Sequence, residues 1–175
     1  MSGSPFRVEL FDKRLHDRSE FDCGVAELND CFRSRLSQDV RRKVTVCYVA
    51  VDNATDLVAG YYTLAMGSVS VKELPKQTTK RLPRYPNVQV VLVGRLAVHL
   101  NHRGQRLGSG LLGDAIRRTI DSGVASFAAV VHAKDDDAVA FYEHHGFIKF
   151  WKDAKTLFLP ISDALRQEYG PQSES

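Results

Sequence analysis

The residues best placed to do chemistry are His102-Arg103-Gly104-Gln105-Arg106-Leu107-Gly108-Ser109-Gly110. They lie between the most apolar strand-like run of the chain and a helical pattern. A glycine-rich turn there presents free backbone N–H groups and the positive end of a helix dipole, which together stabilise a pyrophosphate. A tight strand-to-helix turn needs glycine in any case, so the loop alone fits a plain turn equally well. It is not a Walker A loop, because no Gly-Lys-Ser/Thr follows. Nor does it open an early βαβ unit as a dinucleotide fingerprint does. His132, His144 and His145 near Asp135–Asp137 suggest a metal at first sight. Adjacent histidines on a helix point about 100° apart, however, and do not converge as i, i+4 ligands do. Aspartates at a helix start answer to the dipole, so no metal is expected.

The elements that must hold this loop follow from periodicity. Phe6–Phe11 alternates as a strand, and Val25–Gln38 repeats Val25, Leu28, Phe32 and Leu36 at helical spacing. Val44–Val51 and Leu57–Ser70 flank the turn cluster Asp52–Asp56 and read as a hairpin. Val88–Val98 is the strongest strand, interrupted by Gly94 as a bulge would interrupt it. A helix is expected over Leu107–Ile120, a strand over Phe127–Val131, and a helix over Asp135–His145 stopped by Gly146. Phe147–Trp151 and Thr156–Leu159 close the set as strands, and Pro160 opens a last short helix. Strands followed by strand–helix–strand–helix–strand predict an α/β fold with a mixed sheet, its middle units parallel crossovers.

Size and composition agree with one domain over residues 1–168, with 169–175 as a frayed tail. The chain has 175 residues, 43% hydrophobic and 26% charged. No apolar run reaches the ~18 residues of a membrane helix, and the first residues lack a signal-peptide layout. A cytoplasmic protein without a membrane association is expected. Three cysteines without C-x-x-C spacing predict reduced, semi-buried thiols. Net charge is +3, yet the charge is gathered. Residues 33–43 hold Arg33, Arg35, Arg41, Arg42 and Lys43 against Asp39. Residues 72–84 hold Lys72, Lys76, Lys80, Arg81 and Arg84 against Glu73. The two segments are either a phosphate-binding surface or solvated faces.

The glycine loop resembles the acetyl-coenzyme A loop of the GNAT superfamily, R/Q-x-x-G-x-G/A before a helix that opens on a Leu-Leu pair. Arg103, Gly104, Gln105, Arg106, Leu107 and Gly108 match it, followed by Leu111-Leu112. Arg106 stands where the first motif glycine is usual. A second register, Gln105-x-x-Gly108-x-Gly110, fits literally but sets the leucine pair two places early. Asp135 through Phe147 is similar to the family's N-x-x-A-x-x-x-Y-x-x-x-G-F signature, with Asp135 in place of Asn. Across nearly the whole chain, Phe21-Asp22-Cys23-Gly24, Leu28-Asn29, Val58–Leu64, Gly94–Val98, Val131–Lys134 and Leu157–Pro160 resemble the GNAT toxins of type II toxin–antitoxin pairs.

The resemblance implies a GNAT-fold enzyme that acetylates the α-amino group of aminoacyl-tRNA and stops translation. It also implies a homodimer and a ribbon-helix-helix antitoxin. Acetyl-CoA, the acetyl donor, would lie along Leu96, Ala97 and Val98, with its phosphates at Arg103, Gly104, Gln105, Arg106, Leu107, Gly108 and Ser109, and with Asp135 nearby. Tyr142 would protonate the leaving sulfur; taken alone, it is equally an aromatic packing beside Phe141. No carboxylate lies on Val88–Val98, where many relatives carry a base. A free α-amine at about 7.7–8.0, lowered further by esterification, needs less help than a lysine near ~10.4. For an RNA substrate the phosphate contacts expected are Arg33, Arg35, Arg41, Arg42, Lys76, Lys80, Arg81 and Arg84, with Tyr61, Tyr62 and Tyr85 as stacking candidates. The rival readings are a GNAT acetyltransferase of a small amine or protein N-terminus, and a non-catalytic acyl-CoA-binding module.

Overall fold

The β-branched runs of the sequence become strands with little change of boundary. They are β1 (Phe6–Leu10), β2 (Val46–Asp52), β3 (Val58–Ser70), β4 (Asn87–Val98), β5 (Ala128–His132), β6 (Ile148–Lys149) and β7 (Thr156–Pro160). The computed structural model describes residues 3–80, 82 and 84–169, and among these the strands make one mixed sheet in the order β1-β2-β3-β4-β5-β7-β6. The helices are α1 (Ala26–Asp30), α2 (Leu36–Arg41), α3 (Lys76–Thr79), α4 (Leu107–Asp121), α5 (Asp136–His144) and α6 (Ile161–Tyr169). This is the mixed α/β sheet that the sequence predicts. Tyr169 belongs to α6, and the rest of the expected tail lies outside the described residues.

The chain gathers into two compact units: the chain up to Ala65 with Gly94–Arg117, and Met66–Val93 with the chain from Arg118 onward. In the first, β1 pairs antiparallel with β2, and β2 with β3, setting Val49 opposite Tyr61 and Tyr48 opposite Tyr62. The hairpin closes where the Asp52 N–H donates to Leu57 O at 2.9 Å. Its core joins Phe11, Phe21, Phe32, Val49 and Tyr61. The Phe32 and Tyr61 rings stack at 4.3 Å, a contact of about 0.5–1.5 kcal/mol beyond simple burial.

The helix expected at Val25–Gln38 is α1 and α2 joined through a π-helical turn at Cys31–Arg35. It continues to Arg41 and stops at Lys43, whose φ is 62°. Its apolar side buries Cys31, Phe32 and Leu36 completely. All three cysteines are free and buried, more deeply than expected. Burial raises the thiol pKa of Cys31 and Cys47.

In the second unit β4 and β5 run parallel from Val90↔Ala128 to Val93↔Val131, the crossover expected around α4. The next connection is likewise a crossover, since β7 lies antiparallel to β5 and β6 antiparallel to β7, so β6 runs in the direction of β5; what the sequence did not foresee is β7 inserted between them. The short β6–β7 link reverses the chain, and such a link can make only an antiparallel pair. The strand expected at Phe147–Trp151 is accordingly only Ile148–Lys149; Trp151 is 71% exposed and its N–H donates to Glu73 O. Val90, Ala128, Val130 and Phe158 form the core with Leu74 and Phe150. Among the described residues no helix is long and apolar enough to cross a membrane.

Candidate active site

The loop before α4 is built from unusual backbone. A 3-10 turn at Leu100–His102 is followed by extended Arg103, with φ −65° and ψ 149°. Gly104 then takes φ 79° and Arg106 φ 59°. Arg106 O accepts the Gly110 N–H at 3.0 Å, so Arg106 is the residue on which the helix begins. The N–H groups of Leu107 and Gly108 therefore head the first turn of α4, where a helix leaves its first donors to other partners. This donor set suits a pyrophosphate. Arg106, which replaces the motif glycine, adopts the left-handed conformation that glycine favours. That costs an L-residue about 1–2 kcal/mol, and it keeps the helix start in place.

Arg103 does structural work in the same unit. Its guanidinium donates to Cys23 O at 2.7 Å. That carbonyl sits in a turn locked by side chains. Asp22 accepts the Gly24 N–H at 2.8 Å and the Asn29 amide at 2.9 Å, while the Asn29 carbonyl accepts the Cys23 N–H at 2.9 Å. Gly24 has φ 84° and comes close to Arg103. The backbone N–H of Gly24 and the Asn29 amide hold the Asp22 carboxyl below its usual range. Asn29, buried at 7% exposure, is a positioning residue that spacing did not single out. The Asp22-Cys23-Gly24 sequence is the signal, since Asp bonding two residues on is an Asx-turn.

Leu96, Ala97 and Val98 end β4, with Ala97 buried. Ahead of them the Arg95 N–H donates to the Thr63 hydroxyl at 3.0 Å, a side chain taking a bond that a regular ladder gives to a carbonyl. Gly60 approaches this stretch closely: a Cβ on it would lie 2.9 Å from Ala97 O and 2.9 Å from Leu111 Cδ1. Leu107 is buried at the head of α4, whereas Gln105 and Arg106 are exposed.

In the second unit Tyr142 lies on α5 at 8% exposure, its ring 5.2 Å from Phe141 and 5.5 Å from Phe147. Among the described residues its hydroxyl has no hydrogen-bond partner. Desolvation pushes its pKa up to about 12. Gly146, at φ 90°, ends the helix as expected. Asp135 caps α5, its carboxylate accepting the Ala138 N–H at 2.8 Å.

The candidate RNA contacts are distributed over both units. Arg35, Arg41, Arg42, Lys76, Lys80 and Arg84 are exposed. Arg33 is exposed too, but its guanidinium is tied to Phe21 O. Arg81 lies outside the described residues. Tyr85 is 65% exposed and free to stack, whereas Tyr61 and Tyr62 are buried. Tyr61 donates to Leu28 O at 2.9 Å and Tyr62 to Asp114 Oδ2 at 2.5 Å, which removes both as stacking platforms. His132 pairs with the Thr156 hydroxyl at 2.9 Å. His144 and His145 lie edge to face at 5.4 Å, and no group of three metal-ligating residues occurs among the described residues.

Residues 13–147 match the acetyltransferase (GNAT) family, and the chain belongs to that family. It is 35% identical over 168 residues to a tRNA-acetylating toxin of Mycobacterium tuberculosis, spanning 94% of this chain and 96% of that protein. The solved structure of AtaT complexed with acetyl-methionyl-tRNAfMet is similar at TM-score 0.84 and 28% identity, covering 93% of this chain and 99% of that one. A mutant AtaT toxin bound to the C-terminus of the antitoxin AtaR is similar at 0.78 and 25%, covering 96% and 100%. AtaTR bound with AcCoA is similar at 0.79 and 26%, covering 95% and 99%.

Proposed function

We propose that this chain is an acetyl-CoA-dependent N-acetyltransferase that modifies the α-amino group of aminoacyl-tRNA and blocks translation as the toxin of a toxin–antitoxin pair. The observation that carries the reading is the likeness to tRNA-acetylating toxins over 94% of the chain. The toxin acts in the cytoplasm as a homodimer and is neutralised by a ribbon-helix-helix antitoxin; AtaT, its structural neighbour, is held by AtaR.

Acetyl-CoA supplies an activated acyl thioester. The backbone N–H groups of Leu107 and Gly108, with the exposed Gln105 and Arg106, suit its phosphates. Arg103 acts through its grip on Cys23 O, which fixes the loop. A backbone N–H of Leu96–Val98 polarises the carbonyl under attack. Tyr142, held protonated by its buried setting, gives its hydroxyl proton to the departing sulfur. The attacking amine passes its proton to water, consistent with the absence of a carboxylate on β4. An amine next to an ester is largely neutral at neutral pH and needs no stronger base.

Purified protein incubated with labelled acetyl-CoA and charged tRNA tests this, with a free amino acid as control. Label in the charged tRNA alone, lost with Tyr142→Phe, is expected. Label in free amines but not in RNA would overturn the substrate assignment.

A further inference from the structure

Two hollows in the first unit share Lys13. One, of about 300 Å³, is lined by Lys13, His16, Asp17, Arg18, Ser19 and Arg33. The other, of about 450 Å³, has an apolar floor from Phe11 and Val40, rimmed by Asp12, Ser37, Gln38 and Arg41. The chemistry of the two is different and complementary. The first is cationic. Arg18 is half-buried, stacks 5.0 Å over the Phe11 ring and donates to Phe32 O at 2.7 Å. Arg33 is tied to Phe21 O. Both guanidiniums are thus held in place by carbonyls, and no ion pair among the described residues involves Lys13, Arg18 or Arg33.

None of the nearby acids forms an ion pair with them, although Asp17, held ionised by Ser19, stands in the same lining and Arg33 favours the charged form of Asp22. Asp12 is engaged by Arg14 at 2.8 Å, Asp17 by the Ser19 N–H and hydroxyl, and Glu9 by His16 at 2.7 Å. His16 Nδ1 accepts the Asp12 N–H, so the ring proton sits on Nε2 and faces Glu9. A half-buried cation without a carboxylate is costly to keep, and an incoming anion repays that cost. The second hollow has a size suited to a small ligand group, a floor of Phe11 and Val40, and a rim of amide, hydroxyl and charged groups from Ser37, Gln38, Asp12 and Arg41. One of these, the Ser37 Oγ, is buried without a hydrogen-bond partner.

We propose that these adjoining hollows seat one nucleotide of the RNA substrate, its phosphate at Lys13, Arg18 and Arg33 and the edge of its base against Phe11 and Val40 beside Ser37. The proposal rests on the reading of the chain as an enzyme of aminoacyl-tRNA. Anchored guanidiniums match phosphate oxygens, and an apolar floor edged by Phe11 and Val40, with polar groups at its rim, matches the edge of a base rather than a stacked one, because Arg18 already covers the Phe11 ring. An acidic peptide would satisfy the first hollow and leave the second unused.

The test is equilibrium binding of charged tRNA to the full chain carrying Tyr142→Phe, over a series of salt concentrations, with acetyl-CoA binding as the fold control. Lys13→Ala removes an exposed cation with no structural bond. It is expected to weaken tRNA binding severalfold at low salt and to reduce the salt slope by about one. Ser37→Leu, which fills the second hollow, is expected to weaken binding several-fold with an unchanged slope. A mononucleotide is expected to compete where inorganic phosphate at equal concentration competes less. Affinity and slope unchanged in Lys13→Ala would overturn the proposal, and equal competition by phosphate would reduce the site to an anion site. A parent protein that binds no charged tRNA would instead overturn the substrate reading itself, so the two failures are told apart.

Discussion

Removing the Tyr142 hydroxyl is the sharpest test of the chemistry, and its size follows from the setting of the ring. Burial raises the phenol to about 12, against about 8.5 for a free thiol. Full proton transfer to a free thiolate is therefore uphill by about 3.5 units, or ~5 kcal/mol. The phenol thus helps as a hydrogen-bond donor to the developing thiolate, with the proton moving late. Tyr142→Phe is then expected to lower kcat about 10²-fold, toward the lower end for acid catalysis, with little change in KM for acetyl-CoA. The same setting predicts the pH profile. Near pH ~10 an ordinary phenol is half ionised, whereas one at about 12 has lost about 1% of its protons. Activity should rise as the substrate amine loses its proton and then stay level through pH ~10, falling only as the phenol ionises at about 12. The assay is single-turnover thiol release with an amide-linked aminoacyl-RNA that resists hydrolysis. A falling limb centred near pH ~10, or a Phe variant within about threefold of the parent, would refute the assignment.

Arg106→Gly removes the left-handed strain at the head of α4 at the cost of a freer unfolded chain. It should stabilise the protein by about 0.5–1 kcal/mol, seen as a Tm rise of about 2–3 °C. Calorimetry of acetyl-CoA binding to the same variant reads what the side chain adds to the backbone N–H groups. Gly60→Ala places a methyl 2.9 Å from Ala97 O and Leu111 Cδ1. Because the first neighbour is backbone, a loss of about 1–3 kcal/mol is expected in denaturant unfolding. Asp135→Ala loses the cap of α5 and should cost about 1 kcal/mol. If capping is its whole role, the Kd for acetyl-CoA stays within about twofold, whereas a larger loss would place Asp135 in the cofactor site.

Sheet and helices were legible in the sequence because their signals are local: β-branched runs, a 3.6-residue apolar stripe, and Gly146 where α5 must stop. The place of the last strand in the sheet was not, since nothing in Thr156–Leu159 says which neighbour it lies beside. The antiparallel β7 follows from the short link after β6, and the strand expected at Phe147–Trp151 shortens to Ile148–Lys149, leaving Trp151 outside. Tyr61 and Tyr62 show a related limit. Alternation on a strand predicts one inward and one outward ring, yet both are buried, because both faces of β3 are covered at that point.

The site divides along the same line. The backbone requirements of the loop were legible as glycines, but Arg106 reads as a departure until its φ of 59° is known. Arg106 thus takes a conformation that glycine adopts freely, and adds a side chain there. Arg103 shows the reverse. It matches the motif, yet its side chain is spent on Cys23 O. A motif arginine can therefore serve the cofactor at one remove, by fixing the turn at Asp22-Cys23-Gly24 against the loop. The recurrence of that turn and of Asn29 in the toxin-like pattern then has a physical reason, since residues far apart in the chain must be kept together if the head of α4 is to hold its shape.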